Sequence, residues 1–402
     1  MKKAILLIFS LCLVIGVLIL CGAINNEFNI LGKEEKNENT IYIGVYQPKT
    51  GDDAKGAARE ILGIRYAYSL FPTVEIGGAT YNIELLEVDN MSNKSGAADA
   101  AQTLVNANVT AVLGSYDSEN TAEAVPSFEK ANIPVIGISC ASPLVAEKRG
   151  NFFRMCFTDA FQSGVMANYA YSMDYRKAAV LTQTADIYSK AAGKMFTEEF
   201  LRLGGEAANF SFRSGQENYN SLITEIKDND VDIVFMMSGP HEAKYFIEQS
   251  RKQGLSCPIM GPENWDSGLL LSEASFYSKD IFFASAFDAD NDPVSAEFAK
   301  RFSSWISKDK ERIKENGGCD YSSSESALAY DAYMLVIEAI KASNSSDPQI
   351  VMDAIRTISY DGVTGKITFG KDGESGKKLA FIKTINLRDK KFEVLQTIST
   401  ER

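Results

Sequence analysis

The amino-acid sequence predicts an α/β protein of two successive Rossmann-like lobes, each a parallel sheet with helices on both faces, joined by several hinge crossings. Three observations point there. A chain of 402 residues with 45% hydrophobic content exceeds one ordinary core. From residue 41 onward, short apolar runs alternate with stretches of helical periodicity, the pattern of a parallel sheet covered by helices. That rhythm also runs through once and then restarts near residue 178.

In chain order, the first round predicts strands over 41–46, 81–88, 109–114 and 133–138, with helices over 57–70, 94–106 and 118–131 between them. The second predicts strands at 178–182, 206–212, 232–236, 258–261 and 281–287, with helices at 189–203, 219–228 and 241–253. The order then changes to helices over 293–314, 323–342 and 348–358, followed by hairpin-like strands around Gly365 and over 379–387 and 392–397. Late helices without strands of their own are expected to return to the first lobe. The expected division is therefore 41–158 with 287–362 for lobe one, and 159–286 with 363–402 for lobe two.

The amino terminus is of another kind. Met1-Lys2-Lys3 is followed by an almost wholly apolar stretch to Ala23, which reads as an export signal or a membrane anchor. Its length is near the roughly 20 residues of a spanning helix. Cys21, after Leu18-Ile19-Leu20 and before Gly22, resembles a bacterial lipoprotein box, although Leu20 stands where Gly, Ala or Ser is usual. Lipidation at Cys21, an uncleaved anchor and simple secretion all stay open; the first two tether the protein outside the cytoplasm. Residues 24–40, with Lys33-Glu34-Glu35-Lys36, lack apolar periodicity and read as a solvated tether.

A net charge of −12 argues against a nucleic-acid partner, since duplex binding needs a basic surface. Beyond the leader, Cys140, Cys156, Cys257 and Cys319 are too widely spaced for a metal pattern, and no cofactor signature is present. The loop after the first strand, "YQPKTGDDAKGAAREILGIRYA", has the glycines of an anion cradle. Its turn, however, reads Gly51-Asp52-Asp53 where a nucleotide loop needs Gly-Lys-Ser/Thr; the acids would repel phosphate, so the loop does not read as a nucleotide site. Asp52 and Asp53 read as a solvated turn and partners of the following helix dipole.

Open α/β sheets bind ligands at the carboxyl ends of their strands. Here those loops are 46–55, 89–94, 115–120 and 139–145 in the first lobe, and 183–189, 238–241 and 263–268 in the second. Four stretches at these loops, "PKTGDDAKGAAREILGIRYA", "VLGSYDSENTAEAVPSFEKANIPVIGISCASP", "TADIYSKAAGKMFTEEFLRLGGE" and "IMGPENWDSGLL", carry a resemblance in their order and spacing. The chain resembles the leucine/isoleucine/valine-binding family of type I periplasmic binding proteins, the extracytoplasmic receptors of amino-acid ABC importers.

That resemblance implies two lobes closing on one small ligand, with an ABC permease as partner. It implies that Ser118 holds the ligand carboxylate through its hydroxyl and N–H, and that Ala141 adds an N–H. The Ser139 carbonyl and the Glu263 carboxylate would meet the ammonium group, and Tyr188 would close over the far end. Physical chemistry agrees, because burying either charge of a zwitterion unpaired costs several kcal/mol. Three positions depart from the family: Ala141 lacks a hydroxyl, Gly239 replaces an aromatic wall, and Asp117 puts an acid beside the carboxylate pocket. A pocket widened at Gly239 and lined by Tyr116, Trp265 and Tyr188 is open to ligands other than branched aliphatic amino acids.

Two alternatives accompany this expectation. One is a ligand-sensing module of the same fold, since fold does not dictate function. The other is a thiol hydrolase using Cys140 with His241, the only histidine, although the two fall on opposite lobes.

Overall fold

The computed structural model describes residues 39–147, 149–184, 186–272, 280–377 and 379–399; the expected leader, Cys21 and all but the last two residues of the expected tether lie outside them. The first half of the described chain runs β1 (Thr40–Gln47), α1 (Ala54–Leu70), β2 (Thr73–Ile76), β3 (Ala79–Asp89), α2 (Lys94–Asn106), β4 (Ala111–Leu113) and α3 (Ser118–Lys130). It continues with β5 (Val135–Gly137), α4 (Pro143–Ala146) and β6 (Phe152–Arg154). These strands form one sheet in the order β2-β3-β1-β4-β5-β6, in which β1, β4, β5 and β6 pair in parallel. The antiparallel β2–β3 hairpin closes on Gly77-Gly78, both at positive φ, where glycine carries no steric cost.

The second half runs α5 (Asp159–Ser172), β7 (Lys177–Gln183), α6 (Ile187–Arg202), β8 (Glu206–Phe212), α7 (Asn220–Asp228), β9 (Ile233–Met237), α8 (Pro240–Lys252) and β10 (Ile259–Gly261). After a 3-10 turn over Glu263–Trp265 come α9 (Gly268–Ser272) and β11 (Ile281–Ser285). Helices α10 (Pro293–Ile306), α11 (Lys310–Glu315), α12 (Ser324–Ser343) and α13 (Pro348–Thr357) follow, then a small hairpin of β12 (Tyr360–Gly362) and β13 (Gly365–Ile367). Strands β14 (Leu379–Asn386) and β15 (Lys391–Ser399) complete a second sheet ordered β15-β14-β11-β10-β9-β7-β8, parallel except for the last two strands.

Period-two alternation builds both cores. Ile43, Val45 and Leu113 point to one face of the first sheet, while Tyr46 and Val112 point to the other, against Leu104 and Phe128. In the second sheet Val180, Ile233 and Phe235 take one face, and Ala179, Leu181, Val234 and Met236 the other. Each Val, Leu, Ile, Phe or Met among these contributes roughly 1.5–3 kcal/mol when fully buried. Helix α12 lies along α1 and reaches β2 and β4 of the first sheet. Gly63 of α1 allows this, since a Cβ there would meet the Ser326 carbonyl.

The sequence reading misses β2, β6 and α5, and it fuses α10 with α11, which Asp309 separates by capping α11 through the Glu311 N–H at 2.8 Å. Helix α5 escapes because Val165, Met166, Ala167, Tyr169 and Ala170 are buried on nearly every side, leaving no amphipathic stripe to read.

Candidate functional site

Within each sheet the strand order reverses direction at one point, between β1 and β4 in the first and between β7 and β9 in the second. Loops leave such a point in opposite directions and open a crevice. The chain beyond β1 and β4 carries Asp53 and 114–118; beyond β7 and β9 it carries Asp186, Tyr188 and 238–240. From the turn beyond β10, Asn264 Nδ2 reaches across to donate to Tyr116 Oη at 3.3 Å.

On the first lobe, Gly114 has φ +124° and its missing Cβ would collide with the Tyr46 carbonyl, so only glycine lets β4 turn here. The turn delivers Tyr116, whose N–H donates to Gln47 Oε1 at 2.9 Å and whose ring packs over Gly56. Asp117, rather than Ser118, caps α3, taking the Asn120 N–H at 2.7 Å and Asn120 Nδ2 at 3.1 Å. The Ser118 hydroxyl accepts from the Ser142 N–H at 3.2 Å, which leaves its own proton to give away. The Ser118 and Ala141 N–H groups and the Ser139 carbonyl have no hydrogen-bond partner among the described residues. Beneath them Glu60 is fully buried; Gln47 Nε2 donates to it at 2.5 Å, and burial pushes its carboxyl up to about 8.

On the second lobe, Glu263 is 9% exposed. Its N–H donates to Gln162 Oε1 at 3.0 Å, and its Oε1 accepts from Ser324 Oγ at 2.5 Å and the Ala286 N–H at 3.2 Å. Burial raises this carboxyl to about 7 against the Ser324 hydrogen bond that lowers it. Tyr188 follows the Asp186 cap and is half-buried beside Tyr116, Asp159 and Asp186. Trp265 is a correction. Expected in the cleft wall, it is fully buried, stacked beneath Gly261, with Nε1 donating to the Ser238 carbonyl at 3.0 Å; its bulk belongs to the second core. Gly239 caps α8, where an added Cβ would stand 3.2 Å from Glu242 Oε2.

Asp53 lies in the turn read from the sequence, at the start of the helix, but is half-buried there rather than fully solvated. It stands at the start of α1 without making a side-chain cap bond, and burial, with Asp117 and Asp186 next, raises its carboxyl to about 7. Asp159, at the start of α5, is 1% exposed, and neither carboxylate oxygen has a hydrogen-bond partner among the described residues. Burial lifts it to about 7 against the pull of Arg154. Sequence reasoning missed Asp159 and Ser142. The signal for Asp159 was the acid directly following Thr158, which caps α5 through the Phe161 N–H.

Cys140 and His241 do not form a pair. Cys140 is sealed in the first core with its thiol pushed up to about 12 by burial, and His241 stacks edge-on against Tyr245 on α8. A surface depression of about 780 Å³, lined in part by Tyr169, Phe282, Thr384 and Leu395, lies at the amino end of β11, opposite the loops described above. Among the described residues no helix is long and apolar enough to cross a membrane.

Comparison with known proteins places this geometry among relatives. The profile of the family described as periplasmic binding protein matches residues 40–389. The chain is 22% identical over 340 residues to the leucine-, isoleucine-, valine-, threonine-, and alanine-binding protein of Pseudomonas aeruginosa, covering 84% of this chain and 87% of that protein. Among solved structures, it is similar to a leucine-binding protein from Thermotoga maritima, with TM-score 0.79, 24% identity, and coverage of 90% and 99%. It is also similar to the branched-chain amino acid transporter substrate-binding protein of Streptococcus pneumoniae in complex with isoleucine, with TM-score 0.77, 27% identity and the same coverage.

Proposed function

Because this chain belongs to the periplasmic binding protein family, we propose that it is the extracytoplasmic substrate-binding protein of an ABC importer, closing its two lobes on an amino-acid-like ligand and handing it to a permease. The observation that carries this reading is the complementarity of the two rims. The first lobe offers the N–H groups of Ser118 and Ala141 and the Ser118 hydroxyl proton at the start of α3, a setting that favours a carboxylate. The second lobe offers the buried carboxyls of Glu263 and Asp159, which favour an ammonium group. Tyr116, bonded across the lobes to Asn264, and Tyr188 close the space between.

Closure strips water from both charged contacts and strengthens them, so micromolar affinity, about −8 kcal/mol, is within reach. Thermal denaturation of the protein against amino acids, amides, purines, sugars and benzoate tests the reading, since a ligand at 100 times its Kd adds about 2.7 kcal/mol to apparent stability. Amino acids should raise the melting temperature; a shift with sugars or benzoate alone would refute the ligand class.

Anchoring belongs to the same proposal. A lipid thioether on Cys21 would hold the protein at the outer face of the membrane, with residues 24–40 as its tether. Metabolic labelling with an alkyne fatty acid should mark the wild type and not Cys21→Ser. Equal labelling of both would remove the lipoprotein assignment.

A further inference from the structure

The stretch that opens helix α12, Ser322-Ser323-Ser324-Glu325-Ser326, belongs to no motif read from the sequence, yet all five residues are buried, and Ser323, Ser324 and Ser326 expose nothing. Hydroxyls sealed from water need partners, and each of these has its own. Ser322 Oγ donates to the Ala299 carbonyl at 3.2 Å, and Ser323 caps α12 by accepting from the Ser326 N–H at 3.2 Å. Ser326 Oγ donates to the Arg59 carbonyl at 3.2 Å, while Glu325 takes the Arg59 guanidinium at 2.8 Å. Those two residues fasten the helix start to α1. Ser324 is bonded elsewhere: its hydroxyl donates to Glu263 Oε1 at 2.5 Å, on the 3-10 turn beyond β10.

Helix α12 therefore works as a bracket. Its body lies along α1 of the first lobe, and it also touches the 3-10 turn of the second. Glu263 Oε1 takes a further bond from the Ala286 N–H at 3.2 Å, just past β11, and the Glu263 N–H is held by Gln162 Oε1 at 3.0 Å. One carboxylate oxygen is thus committed to two donors, whereas Oε2 accepts from none of the described residues. A short hydrogen bond to a carboxylate fixes its orientation as well as its distance. Without the Ser324 hydroxyl, only the longer Ala286 bond would hold a side chain with three rotatable bonds.

Resting on the proposed function and deepening it, we propose that Ser324 is the positioning residue of the ammonium subsite, holding Oε1 of Glu263 so that Oε2 faces the amino group of the ligand. The partner for the ammonium is carried by the second lobe and aimed from the first, because Ser324 is itself fixed through Glu325 and Ser326 to α1.

Titration of the full chain uses two probes: the standard L-amino acid that raises the wild-type melting temperature most, and the α-hydroxy acid with the same side chain, which lacks the ammonium group. Ser324→Ala should weaken the amino acid about tenfold, the worth of one hydrogen bond, and the hydroxy acid less than about twofold. Preference for the amine should shrink accordingly. In a Glu263→Gln background, the same serine change should move the amino-acid Kd less than about twofold, because the group it aims no longer pairs with the ammonium. That cycle decides the matter where the hydroxy acid binds too weakly to measure. Circular dichroism checks each fold, and Ser324→Cys, which keeps the volume but donates weakly, should lose affinity in the same direction if the alanine variant does not fold. Amino-acid affinity within about twofold of wild type in Ser324→Ala would overturn the positioning role and leave the amino-acid reading standing. Equal losses for both probes, or a full loss in the Glu263→Gln background, would make Ser324 a support of the fold alone and overturn it too. No shift with any amino acid in the wild type would take down both readings.

Discussion

Replacing Glu263 with glutamine separates ligand binding from stability, because the two should move in opposite directions. In the folded protein this carboxyl sits at about 7, raised from 4.5 chiefly by burial. The folded state therefore holds the proton more tightly than the unfolded chain does. Below pH 4.5 both states are protonated and the group is neutral toward folding; between 4.5 and 7 stability falls as pH rises; above 7 the full penalty applies. An elevation from 4.5 to about 7 corresponds to roughly 3 kcal/mol. A neutral glutamine can place its carbonyl where Oε1 now accepts from Ser324 and Ala286. Glu263→Gln should thus be more stable than wild type at pH 8 by up to about 3 kcal/mol and nearly equal to it at pH 4.5. The same change turns an NH₂ group toward the ligand's ammonium and should weaken binding by roughly 2–5 kcal/mol, about 30-fold to several thousand-fold in Kd. Urea unfolding at the two pH values, with titration of whichever amino acid the wild type binds, measures both. Unchanged affinity, or a variant less stable than wild type at pH 8, would refute the reasoning.

Other consequences can be checked alongside. Asp53, Asp159 and Glu60 share the sign worked out for Glu263, so the ligand-free protein should lose stability as pH rises from 5 to 8, and saturating ligand should flatten that slope in urea melts. Lys383→Met strands the carboxylate of Asp266, which lies 3.1 Å from the ammonium and also accepts from Ser285 at 2.6 Å and Tyr321 at 2.5 Å. It should cost about 3–5 kcal/mol by urea unfolding, with much of the loss recovered when Asp266→Asn is added. Tyr116→Phe removes the contact with Asn264 and should weaken closure by about 0.5–1.5 kcal/mol. Small-angle scattering of the free variant should then show a larger radius of gyration than wild type, and an unchanged radius and Kd would show that this bond does not hold the lobes together.

What was readable from the chain was whatever local periodicity encodes. Ile43 and Val45 against Tyr46, or Val234 and Met236 against Phe235, announce strands because successive side chains must face opposite ways. The loops at the carboxyl ends follow from that, and with them Ser118, Ala141, Glu263 and Tyr188 as places to look. Helix α5 was invisible because it is buried on almost all sides, and β6 because Phe152–Arg154 is too short to show alternation.

The sequence by itself determined the alternation of strands and helices and the restart of that pattern, since both depend on neighbours a few positions apart. Burial and charge balance in the cleft were decided only by the tertiary structure. Trp265 in a loop looks like a wall residue until the chain folds it beneath Gly261, and Asp53 looks like a surface turn until Asp117 and Asp186, from distant parts of the chain, are brought beside it. The physical reason is that the desolvation and electrostatic energy of a side chain depend on everything around it in space, and for Asp53 those surroundings come from segments more than 60 residues away.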